Sequence, residues 1–230
     1  MAPGLLFVES SIKDPNTSAE KFNYFYNHEH LPDILAYKQG DLALRYRNVK
    51  EDAKYPYLAL YSMDDANFLS SGGLEKLVAE TGKSKILGNV GPMEVAEFKP
   101  RIYEKIQTFE GPSQEKNNGK ERGQTIVCVA MKPAAGKDDD FDAWYRKQHL
   151  DMLSMCRGYV RTTRYRSLAE GYPPYLALHE YTCAPSELPT DQLLVVTGTE
   201  WSRKIIGEAR AFERDIFEFL FVAGNAESKL

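Results

Sequence analysis

FNYFYNHEHLPDIL, Phe22 to Leu35, and FDAWYRKQHLDMLS, Phe141 to Ser154, are one pattern written twice. Phe22, Tyr26, His30 and Leu31 recur as Phe141, Tyr145, His149 and Leu150, each pair 119 residues apart. Working outward, LRYRNV is answered by TRYRSL, which pairs Tyr46 with Tyr165. YPYLALYSM is answered by PPYLALHEY, pairing Tyr57 with Tyr175 and Tyr61 with His179. KSKILG matches SRKIIG, and RIYEKI matches DIFEFL. Matches in this order, with small offset changes at loops, indicate an internal duplication. Carried back to the first strand, the 119-residue offset sets Glu9 opposite Cys128.

The stretch EGPSQEKNNGKERG between the copies is polar and lacks an apolar period, so it reads as a linker. The expected organisation is a first repeat over 1–106, a linker over 107–123 and a second repeat over 124–226. Each copy opens on a partly β-branched apolar strand, LLFVESSI or TIVCVAMK. Apolar residues at helical spacing then predict helices over Ala19–Leu35 and Asp139–Met155. Two strands follow in each copy, then a helix over Asp65–Leu87 or Ser186–Ala209, then a closing strand. The order βαββαβ is the ferredoxin-like plan, an α+β fold. Its helices cover one sheet face, and the second copy can cover the other, sheets face to face as a pseudo-dimeric barrel.

Composition narrows the function classes. A net charge of −4 argues against nucleic acid or an anionic membrane as the main partner. No apolar run approaches the roughly 20 residues needed to span a bilayer, and the N-terminus lacks a secretory pattern. Three widely spaced cysteines suit a reduced, cytoplasmic setting without disulfides. There is no GxSxG elbow and no complete phosphate loop, since TGKSK at Thr81–Lys85 lacks the full pattern.

The helix pattern FYNHEHLP and WYRKQHLDM, the glycine-led second strand and the closing PRIYEKI and RDIFEFL strands resemble the dimeric α+β barrel superfamily, and within it the EthD-like proteins. The chain is similar to a fused tandem copy of a unit that usually dimerises, and a homodimer of the fused chain is compatible with this. The resemblance implies cofactor-free cyclases, isomerases or decarboxylases of aromatic or polyketide metabolism, metal-free monooxygenases, haem enzymes or accessory proteins. One such fold hosts many chemistries, so function must be argued from the site.

His28 and His30 are two apart and diverge on a helix, and HEH is not the HExxH zinc spacing, so no metal is expected. Nothing in the sequence calls for a cofactor. His30, at the border of the apolar face, is the expected general acid/base. Glu29 or Glu9 would orient it, and Tyr26 with a strand tyrosine such as Tyr46 would stabilise an enolate. The bland alternatives are a helix-end histidine and a Glu9 salt bridge to Arg45 or Arg47. Phe25, Tyr46, Tyr61, Tyr145, His149 and His179 are the expected walls for a small apolar or aromatic substrate. Gln148 stands where the first copy has Glu29, so the proton-transfer site is expected in copy one. The alternatives are a metal-free monooxygenase and a protein that carries a ligand without converting it.

Overall fold

A computed structural model describes residues 2–37, 39–73, 75–76, 82–111 and 122–230. The chain divides into two compact units, one comprising Met1–Lys105 and Phe219–Leu230, the other Ile106–Glu218.

In the first unit, β1 (Gly4–Ile12) pairs antiparallel with β3 (Tyr57–Met63) on one side and β4 (Ala96–Glu110) on the other. β2 (Leu42–Asn48) pairs with the far edge of β3. The helix between β1 and β2 runs as α1 (Ala19–Phe25), a π-helical turn (Tyr26–His30) and α2 (Leu31–Ala36). Ser18 starts it by accepting a hydrogen bond from the Lys21 amide. Pro32 sits in the first turn of α2, where its missing N–H costs little. Phe22, Phe25, Tyr26 and Leu31 pack from this helix onto Leu6, Val8, Ala43, Tyr57 and Tyr61 of the sheet. Alternation puts Phe7, Glu9, Leu44 and Tyr46 on the opposite sheet face.

The second unit repeats the plan. β5 (Thr125–Lys132) lies between β7 (Tyr175–Tyr181) and β8 (Ala211–Gly224), and β6 (Tyr159–Ser167) pairs with β7. α5 (Asp138–Trp144), a second π-helical turn (Tyr145–His149) and α6 (Leu150–Ser154) cover the sheet. Trp144 anchors this layer: it is almost fully buried, and its indole N–H donates to Ser202 Oγ at 3.1 Å.

Three expectations are corrected. The second helix of each copy is not continuous. In the first copy α3 (Ala66–Phe68) runs into a turn broken at Gly72, whose φ of 95° no helix accommodates. Residues 77–81 lie outside the described ones, and the chain from Lys85 is a turn that precedes α4 (Pro92–Val95). In the second copy the helix divides into α7 (Thr190–Thr197) and α8 (Glu200–Gly207), because Thr199 caps a new start by accepting from the Ser202 amide. Next, β4 continues to Glu110, so residues 107–110 of the expected linker are strand, and 112–121 lie outside the described residues. Last, ladder register moves the partner of Glu9. Val8 faces Ala59 and Val129 faces Ala177, so the first strands correspond at an offset of 121, not 119. Glu9 is matched by Ala130 and Phe7 by Cys128.

Candidate active site

Both π-helical turns do the same job. A π turn holds one residue more than an α turn and rotates the helix beyond it. His30 and His149 are thereby carried onto the sheet-facing side, next to the tyrosine four residues earlier. The ring centres of Tyr26 and His30 are 4.8 Å apart, and those of Tyr145 and His149 are 5.2 Å apart. A buried arginine closes each cluster: Arg45 and Arg164 both hold their guanidinium carbon 4.1 Å from the centre of the tyrosine ring.

In the first unit, burial and then the Arg45 charge hold the His30 pKa down to about 4, opposed in part by Glu29. Burial pushes the Tyr26 and Tyr61 hydroxyls up. Ser10 and Tyr61 lie near the Tyr26 hydroxyl without a hydrogen bond of full geometry. His28 points to the surface beside Tyr24, at 4.4 Å between ring centres.

The Glu29 carboxylate accepts hydrogen bonds from Ser84 Oγ (2.6 Å), the Lys85 amide (3.2 Å) and the Ile86 amide (3.4 Å). Gln148 does likewise, accepting from Thr199 Oγ1 at 2.9 Å. The position ties the first helix to the segment after it in both copies. Glu9 lies on the sheet face away from His30 and pairs with Arg101 at 2.9 Å, not with Arg45 or Arg47. Tyr46 shares that opposite face and meets Phe219 edge-on at 5.7 Å. His30, Tyr26, Tyr61 and Phe25 therefore come together, while Glu9 and Tyr46 do not join them.

The second unit contains a cavity of about 470 Å³ between sheet and helices. Trp144, Tyr145, His149, His179 and Tyr181 line it with aliphatic residues of β5, α6 and α7, and Arg214 stands among them. His149 stacks on Trp144 at 4.1 Å and meets His179 edge-on at 6.2 Å. Burial, then Arg214 and Arg164, drive the His179 pKa to about 3. Burial, then His179 and Arg164, hold His149 well below its usual value. Burial raises Tyr145 to about 12. Both imidazoles are therefore neutral and the phenol keeps its proton at pH 7. The Tyr159 hydroxyl donates to Thr162 Oγ1 at 2.8 Å, and Thr162 bonds His179 Nδ1 at 2.8 Å. With its proton given to Nδ1, Thr162 leaves His179 protonated on Nε2.

Arg45, Arg164, Thr162 and Arg214 escaped the sequence reading. The signal for the two buried arginines was present: LRYR and TRYR place a cation at the same register in two apolar strands. Arg214 had no such repeat, because its counterpart is Pro100. Among the described residues, no cluster of histidine, cysteine and acidic side chains is placed to hold a metal ion. No described helix is long and apolar enough to cross a membrane.

No family model matches the chain. Core atranone cluster protein 1 of Stachybotrys chlorohalonatus is 25% identical over 209 residues, covering 83% of this chain and 86% of that one. Among solved structures, a candidate monooxygenase of Fusobacterium nucleatum superposes with a TM-score of 0.59 at 9% identity, covering 97% of this chain and 95% of the other. An anthrone oxidase-like protein gives a TM-score of 0.56 at 12% identity, with 99% and 95% covered. At these identities the likeness shows the fold, which is that of the dimeric α+β barrel proteins.

Proposed function

We propose that this chain is an enzyme of secondary metabolism that acts by acid/base chemistry on an aromatic or polyketide-type small molecule. Each unit is read as a ferredoxin-like repeat, two of them fused as a pseudo-dimer. The observation that carries the proposal is the 470 Å³ cavity with two neutral imidazoles on its wall. His149 takes a proton from an enolisable carbon. The Nε2–H of His179 and the Tyr145 hydroxyl donate to the oxygen on which negative charge develops. Burial disfavours a charged imidazole, so the carbon acid must be activated, as between two carbonyls. Cyclisation, isomerisation and decarboxylation share that step. The atranone-cluster relative supports the metabolic setting.

Two observations support other placements. Tyr26, His30 and Arg45 repeat the same geometry in the first unit, where the Glu29 charge still favours protonation of His30. The names of the fold relatives, a candidate monooxygenase and an anthrone oxidase-like protein, support an oxygenase that would also begin with an enolate.

The test is conversion of a panel of anthrones and β-dicarbonyl aromatic polyketides by the purified protein, followed by mass spectrometry with and without oxygen. Product in both atmospheres supports cyclase, isomerase or decarboxylase chemistry, and product only in air supports the oxygenase. His149→Ala and His179→Ala should each lower turnover by about 100-fold, and His30→Ala should spare it. The opposite pattern would move the chemistry to the first unit. Tight binding of panel members without conversion would mean a carrier protein.

A further inference from the structure

The second-unit cavity has a single charged residue on its wall, Arg214. β8 alternates so that Phe212, Arg214 and Ile216 share the face towards the helices, and Phe212 and Arg214 both border the cavity. Among the described residues, Arg214 makes no ion pair. Its charge instead reaches His179 and Tyr181, acting to lower the pKa of each. The matching position in the first copy is Pro100, so this cation belongs to the second copy alone.

We infer that Arg214 is the anchor for a carboxylate on the substrate, which is therefore a flat aromatic acid. Resting on the acid/base reading above, this names the substrate's polar end. Three features carry it. The rest of the cavity wall is mostly apolar and aromatic, with Thr190, Thr197 and the two imidazoles among its uncharged polar groups, which suits fused rings and no second charge. A guanidinium matches a carboxylate with two parallel hydrogen bonds and balances its single charge, whereas a phosphate would bring a second charge and this wall has no second cation. Arg214 is exposed and His149 and His179 are buried, so the acid end sits at the mouth and the ring body inside. A ring system held this way presents its inner carbons to the two imidazoles. The bound carboxylate also offsets the Arg214 charge, the second-largest influence opposing protonation of His179.

Titration calorimetry with anthracene-2-carboxylate and anthracene-2-carboxamide tests this on the intact chain. Wild type should bind the acid at least 10-fold more tightly than the amide. Arg214→Gln should erase that preference and leave amide binding unchanged, and Arg214→Lys should retain part of it. Leu193→Trp, which fills the cavity, should abolish binding of both. Equal affinity for acid and amide in wild type, or a preference that survives Arg214→Gln, would overturn the inference while leaving the catalytic roles of His149 and His179 standing. Binding unaffected by Leu193→Trp, or no binding of either probe, would overturn the anchor and the cavity's role together. Loss of turnover in the histidine variants with acid selectivity intact would support the anchor by itself.

Discussion

The guanidinium of Arg45 lies 4.1 Å above the ring of Tyr26 with no carboxylate bonded to it among the described residues. Its Nη1 donates to Asn27 Oδ1 at 3.0 Å, and Nε and Nη2 are enclosed without a partner. Arg164, in the same pose over Tyr145, donates to Asp142 Oδ1 at 2.9 Å and to Gln107 Oε1 at 3.1 Å. The residue that matches Asp142 in the first copy is Asn23, whose own Oδ1 is buried and unbonded. A buried cation held by aromatic faces and one neutral acceptor, with no carboxylate, is costly.

Asn23→Asp should therefore stabilise the protein, by about 1–2 kcal/mol on the scale of hydrogen bonds to charged groups. Asp142→Asn should destabilise it by a smaller amount, because Asp142 is partly exposed and also serves Arg146. Urea unfolding of both variants measures this. A loss of stability in Asn23→Asp would mean that the aromatic faces and Asn27 already suffice for Arg45.

The π-helical turns can be tested by shortening. Deleting Lys147 should convert Tyr145–His149 to an α turn and swing His149 off the sheet-facing side. The fold should persist, with the melting temperature within about 5 °C of wild type, and turnover should disappear. Retained activity would separate the extra residue from function.

Acid should weaken the fold through its buried histidines. The folded-state pKa values of His30 (about 4), His179 (about 3) and His149 all lie below the unfolded value near 6.5. Their contribution is whole above about pH 6.5 and is lost as pH falls towards the folded values, because only the unfolded chain takes up the protons. Each adds a slope approaching 1.4 kcal/mol per pH unit. Denaturation between pH 7 and 4 should show this slope, and His179→Gln should reduce it by about one proton. An unchanged slope would show that His179 is charged in the folded state.

Trp144→Ala should cost about 3–5 kcal/mol, the scale for a buried large aromatic, since the indole both stacks on His149 and bonds Ser202. Trp144→Phe should recover most of the stability but leave Ser202 Oγ short of a donor. Unfolding curves for the pair separate packing from the hydrogen bond. Equal losses would assign the whole effect to the indole N–H.

The repeat was legible because strand and helix patterns survive as spacing: Tyr57 and Tyr175, or Ile102 and Ile216, still occupy equal ladder positions. What spacing could not show was any place where the period itself changes. An α phase applied to FNYFYNHEH leaves His30 at the border, and only the added residue of the π turn brings it inward. The same blindness misaligned Glu9, since two extra residues between β1 and its helix leave no mark in either pattern. The partners of Glu29 were hidden for another reason: a carboxylate on a core-facing stripe can be satisfied by a loop far along the chain, here Ser84 to Ile86.

The inclusion of Phe219–Leu230 in the first unit sets an order of events during synthesis. Residues up to Lys105 leave the ribosome early, yet their unit lacks twelve residues until the whole second copy has been made. Tyr46 waits for Phe219, and Lys105 Nζ waits for the Leu230 carbonyl, which it meets at 2.8 Å. The earlier half must persist unfinished throughout translation of the later one. A gene cut between the repeats would encode two products, the first of which would have to borrow Phe219–Leu230 from the second.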